Sequence, residues 1–466
     1  MTLHLHKQAS NRSAPIEVTS PYSGKRVGEV PLSKAEDIVA VISQARRAWS
    51  AFRFSTPNER RNLLHALADE VRADADYLSR IICDEVGKTI GEAHNEVRRA
   101  QNTLRLSGDG ATVLHGEVLQ CAVVPGAPDK QAFITHEPAG VVGAITPFNY
   151  PLNLLCHKLG PAIAAGNAVV AKPSPKAPLA AARLAELAER AGFPYGIFQV
   201  VHGGADAALA LASGEIDILS FTGGLNAGLA LKNAAGLVRY LMELGGNDPL
   251  IVFPDADLDR AASTALSHRF EIAGQSCAAA KKVYIHEAIA DLLFEKIRAR
   301  VADVRTGDPL DPDTDMGPVI DEAAAIEVER RIKQASAAGA ELVSGGTRDK
   351  AVIAPTLLRE VPEDCDLFRN ETFGPVLATR TFNDSDELIS TLNQTPYGLQ
   401  AGVFTNDHAL IRRFCRKLRV GGVMINEGPD FRAENVPFGG IKSSGIGREG
   451  IHYTIREMSE VKVVID

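Results

Sequence analysis

From Gly140 onward the chain alternates short, continuous apolar runs with alanine- and leucine-rich stretches of helical period, and this alternation restricts the fold more than any other feature. The runs are Val141 to Ile145, Ala168 to Ala171, Phe198 to Val201 and Ile216 to Ser220, and between them lie segments such as Leu179 to Arg190, closed by Gly192. A strand that is apolar on both faces has to be covered on both. Strand, helix, strand at this spacing therefore predicts a buried parallel sheet with helices on either side. A second αβ region is expected from about Asp248, with strands at Pro249 to Phe253 and Val283 to Ile285 and a helix around Leu292 to Val304. Upstream, Ser33-Lys34-Ala35-Glu36 reads as a capping box ahead of Ile38, Val41, Ile42 and Ala45. The charged amphipathic region that follows, to about Leu106, predicts two or three helices. His115 to His136 and Glu457 to Val464 have no helical period. Two such extended segments from distant parts of the chain are expected to form a protruding sheet, whose edges need cover from another subunit.

At 466 residues the chain exceeds the size at which single cores stop growing, so more than one domain is expected. The net charge is -8, with no basic stripe, which argues against a partner with a phosphate backbone, so no nucleic acid is expected. The lysines and arginines are scattered among acidic residues in the pattern of solvated faces. The six cysteines sit singly, without CxxC or Cys/His pairing, so no metal is expected and a reducing compartment is the simplest reading. Met1 to Lys7 has no apolar leader. No run approaches the roughly 18 apolar residues of a spanning helix. A soluble cytoplasmic protein with no membrane partner is the expectation.

Within this frame, Gly274-Gln275-Ser276-Cys277 places a thiol after a glycine turn, and Glu243-Leu244-Gly245-Gly246 supplies a carboxylate that could be its base or activate water. Alone, a cysteine in a long chain is usually a small buried hydrophobe. These two segments, however, occur with Thr146-Pro147-Phe148-Asn149-Tyr150-Pro151, Lys172-Pro173-Ser174, Phe221-Thr222-Gly223-Gly224, Glu371-Thr372-Phe373-Gly374-Pro375-Val376 and Pro437-Phe438-Gly439-Gly440. With these motifs in this order, the chain resembles the NAD(P)-dependent aldehyde dehydrogenase superfamily over nearly its whole length.

The resemblance implies an α/β fold of two Rossmann-like αβα domains with a small β oligomerisation arm. The expected division is 1–117 with 139–243 for cofactor binding, 244–450 for catalysis, and 118–138 with 451–466 for the arm. It implies that Cys277 adds to the aldehyde, that hydride leaves to nicotinamide and that a thioester remains. Asn149 and the cysteine N–H would hold the oxyanion, and Glu243 would activate the deacylating water. CoA-acylating members generally lack that glutamate, so a free carboxylic acid is the expected product. Asn149 has an alternative reading as a helix cap before Pro151. The local sequence also suggests a loop or helix start at Cys277, where backbone N–H groups favour a thiolate.

The cofactor, NAD or NADP, is expected against Thr146, Pro147, Phe148, Lys172, Ser174, Phe221, Thr222, Gly223, Gly224, Gly245, Glu371 and Phe373. In the superfamily the lysine bonds the adenosine ribose and Glu371 the nicotinamide ribose. The glycine loop is not a regular dinucleotide fingerprint, because its second glycine is displaced by one, and a plain tight turn is the alternative. Pro175 replaces a glutamate that normally repels a 2′-phosphate, and with Lys176 adjacent this leaves NADP tolerable.

If Pro151 opens a helix, Tyr150, Leu154 and His157 share a face and make the substrate wall polar. Arg432 aligns with an arginine that some members use for anionic or hydroxylated substrates; a surface salt bridge is its alternative, and plain packing that of His157. Ser276 stands where several phosphate-selective members have arginine, which argues against a phosphorylated substrate. The tail from Gly445 to Val464 most resembles lactaldehyde- and phosphonoacetaldehyde-type members. Ile272 departs from an asparagine common at its position. The expected reaction is oxidation of a small hydroxy-, semi- or anionic aldehyde by a homodimer or homotetramer. A cysteine esterase without redox chemistry, a CoA-acylating semialdehyde dehydrogenase and a non-catalytic binding descendant are the alternatives.

Overall fold

The computed structural model describes residues 14–466; Met1 to Lys7, read above for a leader, lies outside the described residues. The amphipathic N-terminal region forms helices Ala35–Phe52, Pro57–Ala73, Ala75–Val86 and Ile90–Gly110. The first starts one residue later than the capping box predicts. Lys34 is its cap, and the Lys34 N–H donates to Asp37 Oδ2 at 3.0 Å. The Ser33 hydroxyl accepts instead from the His202 N–H. Reciprocal boxes do open the second and fourth helices, at Thr56 with Glu59 and Thr89 with Glu92.

A six-stranded sheet has the order Gly445–Ile446, Arg239–Glu243, Ile218–Thr222, Val141–Ile145, Ala168–Lys172, Phe198–Val200 and is parallel except for its first strand. The third predicted run stops one residue short, at Val200, and the strand expected from Ile216 starts at Ile218 because the Asp217 side chain takes the Val141 N–H at 2.7 Å. Strand order reverses between Val141–Ile145 and Ile218–Thr222. In a doubly wound sheet that reversal opens a crevice outside the carboxyl ends of the strands, and the chain leaving those ends carries Asn149 and Gly223-Gly224. A seven-stranded sheet contains Pro249–Val252, Lys282–His286, Val376–Phe382, Gln400–Phe404 and Gly422–Ile425, all parallel. Two large cores result, one drawn mainly from residues 38–244 and the other from 250–418.

Ser459–Ile465, Gln131–Pro138 and Glu117–Gln120 form the third sheet, antiparallel, with a turn-rich stretch where His115 to His136 was expected to be extended throughout. Val118, Leu119, Val461, Val463 and Ile465 are exposed on it. No helix among the described residues is long and apolar enough to cross a membrane.

The solvated-face reading fails for part of the N-terminal helices. Lys88 and Glu96 are fully buried and paired at 2.5 Å. Glu96 Oε1 also accepts the N–H groups of Leu152 and Asn153, at 2.9 and 3.1 Å. A carboxylate from another helix thereby satisfies the open N-terminus of Asn153–Ala164, and Lys88 lies 3.7 Å from the centre of the Tyr150 ring. Glu96→Ala would leave a buried ammonium and two donors without partners. It is expected to cost about 3–5 kcal/mol, read by denaturant titration; a loss below 1 kcal/mol would show that the pair does not hold this turn.

Candidate active site

Asn149 in the loop after one strand, Glu243 at the end of another and Cys277 in the turn before a third line one cavity of about 280 Å³. The thiol sits in a turn after the segment Glu271–Gly274, and no helix follows it, so of the expected loop or helix start the structure has the loop. The turn is strained: Ile272 and Ala273 both have φ of +50°, a left-handed conformation that asparagine accepts more readily than a β-branched residue. That gives the departure at Ile272 its physical meaning. The side chain is buried, and its N–H donates to Glu92 Oε1 at 2.8 Å, so packing and one hydrogen bond hold the strain. Gly274, at φ +74°, leaves no room for a Cβ against the Gly374 carbonyl.

Asn149 does not cap a helix. Its Nδ2 donates to the Gln275 carbonyl at 2.8 Å, which ties the amide to the nucleophile turn. Below that turn, Lys281 Nζ donates to the Ser276 carbonyl at 2.8 Å and to the Cys277 carbonyl, and lies 3.2 Å from Glu371 Oε1. Burial, then Asp430, pushes the Cys277 thiol up, with Lys281 opposing them, so the resting residue is a thiol and not the expected anion. The bland reading of the other cysteines suits Cys83, Cys156 and Cys365, which are buried; Cys121 is half-buried and Cys415 exposed.

Glu243 ends its strand beside Leu244-Gly245-Gly246 and is buried, with Oε2 unpartnered. Burial, then the charge of Glu449, raises its pKa well above the carboxylate range, against the pull of Arg432 and Lys158. Burial also disfavours the Glu449 anion, yet Lys158 at 3.0 Å and Arg432 at 2.8 Å hold it low. One carboxyl carries the proton and its neighbour the charge. Gly245 has no space for a Cβ against Glu371, whose Oε1 accepts the Gly246 N–H at 3.1 Å.

Pro147, Phe148, Thr222, Gly223, Gly224, Gly245, Glu371 and Phe373 line the same cavity, with Phe148 and Phe373 edge to face at 6.5 Å. Gly224 caps the helix Leu225–Ala235, a longer role than a plain turn. Thr146, Lys172, Ser174 and Phe221 stand outside this lining. Lys172 is buried with Nζ on the carbonyls of Pro173 and Gly203, and burial brings it down to about 8. Phe221 packs beneath Gly223, and the Ser174 hydroxyl accepts from the Lys176 N–H. The Thr146 and Thr222 hydroxyls, at the carboxyl ends of their strands, are buried without a partner, as a crevice made for a polar ligand would leave them.

On the substrate side, Tyr150, Leu154, Ser276 and Arg432 line the cavity and His157 does not. The helix begins at Asn153, two residues beyond Pro151, and is buried on every side, so helical period does not sort its residues into faces. His157 has neither ring nitrogen bonded, and burial holds it neutral. Arg432 is no surface residue; it pairs with Glu449 inside the cavity. Arg99, Asn153, Asp430, Phe438 and Glu449 complete the wall. Arg99 Nε bonds Glu434 Oε1 at 2.8 Å. Nothing local distinguishes it from the other arginines of its helix; the fold alone selects it.

The profile of the Aldehyde dehydrogenase family matches residues 7–464. The chain is 38% identical to a 3-sulfolactaldehyde dehydrogenase of Priestia aryabhattai, covering 99% of this chain and 97% of that protein. It is equally 38% identical to a lactaldehyde dehydrogenase of Methanococcus maripaludis strain C7, over 97% of each. The crystal structure of a glyceraldehyde-3-phosphate dehydrogenase from Methanocaldococcus jannaschii, complexed with NADP, superposes with a TM-score of 0.94 at 36% identity, covering 98% of this chain and all of that one. A thiol, an amide and a buried carboxyl around one cavity, matched along the whole chain, leave one assignment: this protein belongs to the aldehyde dehydrogenase family.

Proposed function

We propose that the protein oxidises a small polar aldehyde to its carboxylic acid with NAD or NADP, through a thiohemiacetal and a thioester on Cys277. The observation that carries this reading is the convergence of Cys277, Asn149 and Glu243 on one cavity. The bound dinucleotide would supply the hydride acceptor. The glycine cap Gly224, the unpartnered Thr146 and Thr222 hydroxyls and the carboxylate of Glu371 suit its phosphates and riboses. Lys172 and Ser174 would serve its adenosine end, with Phe221 shaping the loop from beneath. Lys176 pairs with Asp321 at 2.8 Å and stays largely exposed, which leaves a 2′-phosphate tolerable.

The thiol proton passes to solvent as the sulfur adds to the carbonyl carbon, and the new oxyanion falls to the Asn149 amide and the Cys277 N–H; its collapse to the thioester would expel hydride from that carbon to the bound dinucleotide. Lys281, between the loop carbonyls and Glu371, holds the nucleophile turn against the cofactor side. Once the thioester forms, Glu243, having released its own proton to solvent, takes one from water, and the water attacks the acyl carbon and expels the Cys277 sulfur. Steady-state assay with NAD and NADP against a dozen aldehydes tests the reading: reduced cofactor should accumulate with at least one small polar aldehyde, and acid should equal it in amount. Ester hydrolysis without any reduced cofactor would overturn it.

The substrate class follows from the arginines. Arg99 and Arg432 each give one bond to a glutamate, and their remaining guanidinium N–H groups meet no protein acceptor among the described residues. They form a subsite for an anionic or hydroxylated end, as the similarity to a 3-sulfolactaldehyde dehydrogenase also favours. Arg99→Ala is expected to raise KM for succinic semialdehyde about 10–100-fold, the worth of a hydrogen bond to a charged group. KM for propionaldehyde should move less than about 3-fold. An equal rise for both aldehydes would remove Arg99 from recognition.

Residues 1–117 with 139–243 and residues 244–450 correspond in this proposal to cofactor and catalytic domains, and 118–138 with 451–466 to the arm. Its exposed valines and leucine suit a second copy of the chain, in a homodimer or homotetramer.

A further inference from the structure

The mechanism leaves one cavity carboxyl without work. Asp430 lines the wall, and its Oδ2 is buried with no hydrogen-bond partner. Its backbone is fixed, since its N–H donates to His268 Nδ1 at 3.2 Å. Ser276 and Cys277, the residue before the nucleophile and the nucleophile itself, line the same wall. Glu271, the other acidic group close by, already accepts from the Tyr150 hydroxyl at 3.1 Å. An acceptor with a free lone pair in a confined, largely apolar cavity costs free energy unless a ligand supplies the donor.

We infer that Asp430 is a specificity-determining residue that accepts a hydrogen bond from a hydroxyl on the carbon next to the aldehyde, so that 2-hydroxyaldehydes are the preferred substrates. This rests on the aldehyde-oxidising reading above and narrows it. Arg99 and Arg432 are assigned to the far end of the substrate, and Asp430 to the carbon next to the aldehyde. Burial pushes Asp430 up to about 7, with Glu271 adding to the shift. A donor from the substrate acts in the opposite sense by favouring the anion. Asp430 also helps to keep the Cys277 thiol protonated, so its removal changes the nucleophile for every aldehyde alike, and its part in recognition is read from the ratio between substrates.

The test compares glycolaldehyde with propionaldehyde, which differ by a hydroxyl in place of a methyl on the same carbon. The unaltered enzyme is expected to favour glycolaldehyde in kcat/KM by about 10-fold or more, because a site built to bond a hydroxyl rejects the analogue that lacks it. Asp430→Ala should bring the ratio to within about 3-fold of unity, mostly through a higher KM for glycolaldehyde, whatever change in rate the two aldehydes share through the altered thiol. Asp430→Asn keeps the shape and loses the charge, and should lower the ratio about 3–10-fold, since bonds to charged acceptors are roughly twice as strong. It decides the matter if the alanine variant does not fold. An unchanged ratio in a soluble variant, or an equal loss for both aldehydes, overturns the role of Asp430 while leaving the dehydrogenase reading intact. Failure of the unaltered enzyme to oxidise either aldehyde, or any other of the panel, overturns that reading and this one with it.

Discussion

Cys277→Ala is expected to reduce turnover of every aldehyde by on the order of 10^4-fold or more while leaving cofactor affinity within about 2-fold, because the covalent route disappears and the pyrophosphate and ribose contacts do not involve the thiol. The structure sharpens how this must be measured. Loss of activity on alkylation would be ambiguous, since Cys415 is exposed and Cys121 half-exposed, and both offer themselves to a reagent before the thiol inside the cavity. Burial and Asp430 also keep Cys277 protonated at rest, so it should react slowly with iodoacetamide at neutral pH and faster as pH rises. Substitution avoids both difficulties. Cofactor binding to the variant, followed by quenching of protein fluorescence, shows that the fold is intact, and rapid mixing shows whether any reduced cofactor forms in the first turnover. If alanine at 277 retains a substantial rate, the nucleophile lies elsewhere and the convergence of Asn149 and Glu243 on this cavity needs another explanation.

Much of the fold was legible because a parallel sheet buried on both faces writes itself as continuous apolar runs. Val141–Ile145, Pro249–Val252 and Lys282–His286 fall where those runs predict, and Leu179–Arg190 has the predicted ends. The three catalytic candidates were legible for a different reason: each sits in or beside a loop or turn with glycines or proline, where local sequence is distinctive. What could not be read is what the fold brings in from outside. Arg99 lies on a helix whose other arginines face solvent, and Glu449 reaches the cavity from near the C-terminus. Glu96 gives no sign in sequence that it serves the turn at Leu152. Periodicity misled at His157, since the helix Asn153–Ala164 has no solvent face to set its phase. The thiol's charge state was also misjudged: the sequence suggested N–H groups around Cys277, whereas the structure surrounds it with Asp430, Glu371 and Asp248 and gives it Lys281 as the opposing charge.

Glu243→Gln is expected to separate the two halves of the reaction. In the proposed mechanism acylation uses Cys277 and Asn149, so the first turnover should proceed and release reduced cofactor in a burst of about one per active site. Hydrolysis of the thioester should then slow by about 10^2–10^4-fold, the usual worth of a general base. The amide preserves shape at a site with little spare room, as Gly439 closes on the carboxyl, and the size of the burst separates a lost base from a misfolded enzyme. The pH dependence provides a second reading. Burial and Glu449 raise the pKa of Glu243, so the carboxyl is protonated at low pH and cannot accept a proton from water. Steady-state rate in the unaltered enzyme should therefore rise with pH through that elevated pKa, and the rising limb should vanish in Glu243→Gln, since glutamine has no proton to lose. Neutralising Glu449 as glutamine removes the second cause of the shift and should move the limb to lower pH. A Glu243→Gln enzyme with an unchanged steady-state rate, or one whose burst is lost together with turnover, would place the base at another residue.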